Sequence, residues 1–180
     1  MPALNDSASA PAGGRRSRPA RPRERLLLFV CSGNVCRSPM AEGLMREWLG
    51  PDSGWRVASA GVSALEDCPA TPQAVEVLRP RGLDLSAHRS QQLTRELVDA
   101  ADAIVVMTAA HRATIRQCFP EAAGRLFLLK SFDSTARDGD VLDPIGLSLE
   151  TYRSVCEEIN AALPDLVLFL REYRAKPGRS

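Results

Sequence analysis

Cys31 and Arg37 bracket the stretch CSGNVCRS, with Ser32, Gly33, Asn34, Val35 and Cys36 between them. A cysteine offers a nucleophile whose strength depends on how far its thiolate is favoured. Arginine offers a planar, permanently charged fork that can grip two oxygens of a phosphoryl group at once, where lysine would give a point charge. A short loop containing Gly33 can bring backbone N–H groups close to the same anion. These types at this spacing point to binding and covalent attack of a phosphate-sized oxyanion.

The elements around the loop must hold it in that posture. Leu26 to Val30 is an apolar run of strand length, as expected of a strand buried on both faces of a parallel sheet, and Cys31 stands at its carboxyl end. Ser38-Pro39 supplies a capping hydroxyl and a proline suited to a first helical position. Met40, Ala41, Leu44, Met45, Trp48 and Leu49 then recur at helical spacing. The loop from Ser32 to Arg37 therefore joins a strand to a helix N-terminus, whose dipole favours an anion and favours thiolate over thiol at Cys31.

Attack on phosphorus also needs a proton for a poor leaving group. The polar loop from Ser131 to Leu147 carries Asp138, Asp140 and Asp143. Asp143 precedes Pro144, which fixes the backbone on its carboxyl side, although an Asp-Pro pair alone marks a turn more often than an acid. Asp138 and Asp140 read as solvated carboxylates.

CSGNVCRS followed by PMAE, with a late Asp143-Pro144, resembles the low-molecular-weight protein-tyrosine phosphatase family, which includes bacterial protein-arginine phosphatases and thioredoxin-coupled arsenate reductases. The likeness runs from about Leu26 to about Tyr173. It implies a three-layer α/β fold with a four-stranded parallel sheet in the order 2-1-3-4 and helices on both faces. It implies Cys31 as nucleophile, Arg37 and the loop from Ser32 to Cys36 as the phosphate cradle, and Asp143 as the acid. It implies that a phosphocysteine forms and is then hydrolysed by water that Asp143 activates. The resemblance gives Ser38 a hydrogen bond to the Cys31 thiolate and gives Asn34 a supporting role. A cap at Ser38 and a left-handed turn at Asn34 are compatible alternatives. Cys36, in the same loop, is a candidate redox partner for Cys31.

Substrate choice rests on three positions. Family members that take phosphotyrosine carry a bulky aliphatic residue at the position of Val35 and aromatic residues along the cleft. Here Val35 agrees, while the cleft-wall positions Leu65 and Ile145 depart. The loop GDVLDP-x-G resembles the arginine phosphatases, but those carry Thr, which can hydrogen-bond a guanidinium, where this chain has Val35. Phosphotyrosine in a protein is therefore the expected substrate, with phosphoarginine the alternative. An arsenate reductase would need further relay cysteines, and Cys118 stands alone where a pair is expected.

The 180 residues, 44% apolar, suffice for one domain with a full core. A net charge of +1 gives no dominant pull toward nucleic acid or a membrane surface. Five cysteines without a CxxC or a Cys/His spacing suit a reducing compartment, the cytoplasm, and only His88 and His111 are available as imidazole ligands. Neither metal nor other cofactor is expected, and a monomer is the expected form. Both histidines, as well as Cys68, Cys118 and Cys156, read as incidental surface or packing residues.

Residues 1–25, rich in Ala, Pro, Gly, Ser and Arg, read as a disordered basic extension, and residues 26–174 as the phosphatase domain. Within it, Trp55 to Ala60, Ala103 to Met107 and Leu126 to Leu129 read as strands. Helices are expected after Thr71-Pro72, over Leu93 to Ala101 behind the cap Thr94, over Ala109 to Cys118 behind Thr108, and from Ser148 to a kink or break at Pro164.

Overall fold

The alternation of buried strands with amphipathic helices closes as parallel βα units. The computed structural model describes residues 23–136 and 139–173. In chain order the elements are β1 (Arg25–Cys31), α1 (Arg37–Leu49), β2 (Trp55–Gly61), α2 (Pro72–Leu78), α3 (Arg95–Ala100), β3 (Ala103–Val106), α4 (Ala109–Cys118), β4 (Leu126–Leu128) and α5 (Leu149–Glu172). All strand pairs are parallel, in the order β2-β1-β3-β4.

The uniform apolarity of β1 follows from its central place. Leu27, Phe29 and Cys31 face the core built by α1, α2 and α5, while Leu26, Leu28 and Val30 face the one built with Val98 of α3 and Ile115 of α4. Both sheet faces are covered, so neither side needs polar alternation. The carboxyl ends of β1 and β3 lie side by side, and the chain leaves both there.

The strands after β1 and the helix read over Leu93 to Ala101 shift by one or two residues at their ends, and three further boundaries differ from the sequence reading. Arg25 belongs to β1 and not to the extension, and its guanidinium donates to the Tyr173 carbonyl and lies 4.1 Å from the Trp55 ring. Arg23 likewise pairs with Asp102. Residues 1–22 of the extension lie outside the described residues, as does Asp138. Helix α1 begins at Arg37, so Ser38 falls inside the first turn and is not the cap. Helix α5 continues through Pro164 without a break. Ile159, Ala162 and Leu163 before the proline, and Leu166, Val167 and Leu170 after it, are all buried in one core. That burial outweighs the roughly 3 kcal/mol a helix-interior proline costs.

Gly61, at the end of β2, is where the fold admits no side chain. A Cβ there would stand 2.4 Å from the Ser32 carbonyl oxygen and 2.9 Å from Ala64 Cβ. At Gly33 it would meet only Val35 Cγ2, at 3.7 Å. Gly61→Ala is therefore expected to destabilise the protein by about 1–3 kcal/mol, read as a lower melting temperature. By displacing Ser32 it should also weaken phosphate binding, whereas Gly33→Ala should cost less stability.

Candidate active site

The loop after β1 is held from outside by its carbonyl groups. The Cys31 carbonyl accepts from Val62 N–H at 2.9 Å, that of Ser32 from Ser63 N–H at 3.0 Å, that of Val35 from Thr71 N–H at 2.8 Å and that of Cys36 from Met40 N–H at 3.0 Å. The Asn34 carbonyl lies 2.7 Å from His88 Nε2. A carbonyl only accepts, so this contact fixes the proton on Nε2 of His88. Carbonyls engaged in this way leave the N–H groups of the same peptide units available to an anion, as a phosphate cradle requires. Asn34 N–H points to Cys31 Sγ at 3.3 Å.

Asn34 is fully buried and adopts φ 54°, the left-handed turn weighed for it in the sequence. Its side chain also supports the loop. Nδ2 donates to Ser38 Oγ at 2.9 Å and to Ser59 Oγ at 2.8 Å, and Oδ1 accepts from Gln91 N–H at 2.9 Å. Ser59 in turn donates to Glu42. Ser38 Oγ lies 3.0 Å from Cys31 Sγ and 3.3 Å from the Ala60 carbonyl, so its hydroxyl stands beside the cysteine and caps no helix.

Arg37 and Asp143 meet across the loop. The guanidinium is buried and forms an ion pair with the Asp143 carboxylate, which is 40% exposed. Arg37 NH2 also donates to Ser32 Oγ at 3.2 Å, and NH1 to the Val141 carbonyl at 3.3 Å. Arg37 Nε is buried with no acceptor among the described residues. The Val141 N–H donates to the Met107 carbonyl at 2.8 Å, which ties the Asp143 loop to the end of β3.

Cys36 is buried, with Sγ 3.8 Å from Asp143 Oδ1. Burial, and secondly Cys31, push its pKa up to about 12, so it stays a thiol at neutral pH. Leu65 and Ile145 are both largely exposed, in the loops after β2 and after Pro144. Asp140 is exposed but not merely solvated, because its carboxylate accepts from Ala109 N–H at the start of α4.

Residues 26–176 match the family described as low molecular weight phosphotyrosine protein phosphatase. The chain belongs to this family. A protein-arginine-phosphatase of Geobacillus stearothermophilus is 43% identical over 140 residues, covering 78% of this chain and 92% of the relative. A probable low molecular weight protein-tyrosine-phosphatase, EpsP, of Ralstonia nicotianae is 42% identical over 135 residues, covering 75% and 88%. Among solved structures, the YwlE arginine phosphatase from Geobacillus stearothermophilus matches with a TM-score of 0.74 at 38% identity, covering 84% of this chain and 99% of that one. Vibrio vulnificus Wzb in complex with benzylphosphonate gives 0.73 at 32% identity, covering 81% and 98%.

Within this phosphatase family fold, both histidines depart from the surface placement read from the sequence. His88 is half-buried on the Asn34 carbonyl. His111 is buried, with Nε2 2.9 Å from Ser32 Oγ and Nδ1 2.9 Å from Thr108 Oγ1. Ser59 and Gln91 were likewise not legible as parts of the site, since neither lies near Cys31 in sequence, and Glu42, although in the PMAE stretch, was given no role. Thr108 caps α4 as expected, accepting from His111 N–H at 3.2 Å, and it also reaches the site through His111.

Burial, then the Arg37 guanidinium, push the His111 pKa down from 6.5 to about 4. Unfolded, the ring binds a proton below about 6.5; folded, only below about 4. Stability is thus lost as pH falls through that window, by up to about 1.4 kcal/mol per pH unit. Unfolding free energies measured between pH 7 and pH 5 should show this slope in the wild type and a flatter one in His111→Gln.

Proposed function

We propose that the protein is a phosphoprotein phosphatase that works through a phosphocysteine at Cys31, with protein phosphotyrosine as its substrate. The observation that carries this reading is the state of Arg37. Its NH1 is anchored on Val141, while its Nε–H is buried without an acceptor among the described residues. A buried cationic donor is costly to leave unmet. A phosphoryl group bridging Nε and NH2 satisfies it, with Cys31 on the other side of the same loop.

In the first step the Cys31 thiolate attacks phosphorus in line, and the S–P bond forms as the P–O bond to tyrosine breaks. Arg37 and the N–H groups from Ser32 to Cys36 hold the charge on the equatorial oxygens. Substrate takes the guanidinium from Asp143; beside the phosphoryl and thiolate charges the carboxylate binds a proton from the incoming phosphate monoanion or from water, and gives it to the departing phenolate. In the second step Asp143 accepts a proton from water, the oxygen attacks phosphorus, and inorganic phosphate leaves with the thiolate restored. Ser38 stabilises that thiolate through its hydroxyl. Leu65 and Ile145 form the cleft walls. Cys36 serves as resolving thiol: once a peroxide has converted Cys31 to a sulfenic acid, the Cys36 thiol condenses with it to a disulfide and water.

Val35 favours tyrosine over arginine. An apolar side chain in the phosphate loop offers nothing to the guanidinium N–H groups of phosphoarginine, whereas it suits an aromatic ring. The GDVLDPIG loop and the similarity to arginine phosphatases favour the second reading, protein phosphoarginine. Phosphate release from matched phosphotyrosine and phosphoarginine peptides under reducing conditions decides between them. The expected result is a preference for phosphotyrosine, with release abolished in Cys31→Ser. Val35→Thr should shift the preference toward phosphoarginine. Asp143→Ala should slow phosphotyrosine turnover by about 10²–10⁴, and much less for an aryl phosphate whose leaving group needs no proton. A wild-type preference for phosphoarginine would replace the leading reading with the second.

A further inference from the structure

Ser32 is the second residue of the candidate phosphate loop, and its hydroxyl joins two groups from different elements. It accepts from Arg37 NH2 at 3.2 Å and lies 2.9 Å from His111 Nε2. A hydroxyl has one proton and two lone pairs. Once Arg37 has taken a lone pair, the contact with His111 fixes the hydroxyl rotor, whichever of the two atoms carries the shared proton. The imidazole is itself fixed, because its Nδ1 meets Thr108 Oγ1 and its backbone N–H donates to the same oxygen.

The significance lies in what Arg37 loses when substrate binds. At rest NH2 has two acceptors, Asp143 and Ser32. In the reaction proposed above, Asp143 turns to the leaving group, and Ser32 becomes the protein acceptor that remains on NH2. The plane of the guanidinium is then set by Val141 at one end and by Ser32 at the other. A fork that binds two oxygens depends on that plane.

We infer that His111 is a positioning residue for phosphoryl recognition, acting through the Ser32 hydroxyl to fix the plane of the Arg37 guanidinium. This rests on the function proposed above. His111 touches neither phosphorus nor the leaving group. Its burial and its place in the first turn of α4 would equally suit a packing residue, so the two roles must be separated by experiment.

Glutamine and asparagine separate them. A glutamine amide reaches the position of Nε2 and can keep the Ser32 contact. An asparagine amide reaches only that of Nδ1 and keeps Thr108 alone. Binding of inorganic phosphate to the full chain, followed by calorimetry, reads the fork without requiring turnover. Loss of one hydrogen bond of this kind weakens binding by about threefold to tenfold. His111→Asn is expected to show that loss, and His111→Gln to stay within about twofold of wild type. In a Ser32→Ala background, the Asn substitution is expected to add nothing further. Melting temperatures of the same variants report packing separately.

An Asn variant that binds phosphate as wild type does overturns the inference. So does an Asn loss that persists undiminished in the Ser32→Ala background, since His111 would then act by another route. Wild type that binds phosphate with the expected coupling but releases none from either peptide would overturn the phosphatase reading and leave the positioning role standing.

Discussion

The carbonyl groups of Cys31, Ser32, Asn34, Val35 and Cys36 decide the shape of the site. Each N–H that would face an anion belongs to a peptide unit whose carbonyl must point elsewhere, and a buried carbonyl needs a donor. The fold supplies those donors from Val62 and Ser63 after β2, from Thr71 at the head of α2, from His88, and from Met40 within α1. Four separate segments therefore hold one loop. The close approach of Gly61 to the Ser32 carbonyl is the steric counterpart of the same requirement.

Asn34 concentrates that constraint in one residue. Its left-handed backbone turns the loop, and its buried amide ties Ser38, Ser59 and Gln91 together. Ser38 passes the restraint on to Cys31 Sγ. Such a network rigidifies a site when every member is satisfied, and here Glu42 completes it by accepting from Ser59. Cys31 is thus held by groups from β2, from α1 and from the segment preceding α3.

Arg37 and Asp143 follow a different logic. Their ion pair joins a buried cation to a half-exposed carboxylate on a loop tied to the end of β3 through Val141 and to the start of α4 through Asp140. The buried partner is fixed and the exposed one is free to exchange. That asymmetry suits an acid that must give up a resting contact when an anion arrives. Cys36, kept a thiol by burial, adds no competing negative charge beside it.

The sequence by itself determined the parts whose signals are local. An unbroken apolar strand, a Cys and an Arg closing a Gly-containing loop, and helical spacing after Ser38-Pro39 were enough to place Cys31 and Arg37 at one strand end. The family likeness added the sheet order and Asp143. The continuity of α5 through Pro164 was not legible, because a local rule for proline is outweighed by core contacts on either side of it. Nor were the roles of His88, His111, Ser59, Glu42 and Gln91, since a side chain that satisfies a distant backbone or hydroxyl group leaves no periodic trace near its partner. Tertiary structure decided those, because only packing the strands side by side brings donors from β2, α2 and α4 to a loop that follows β1.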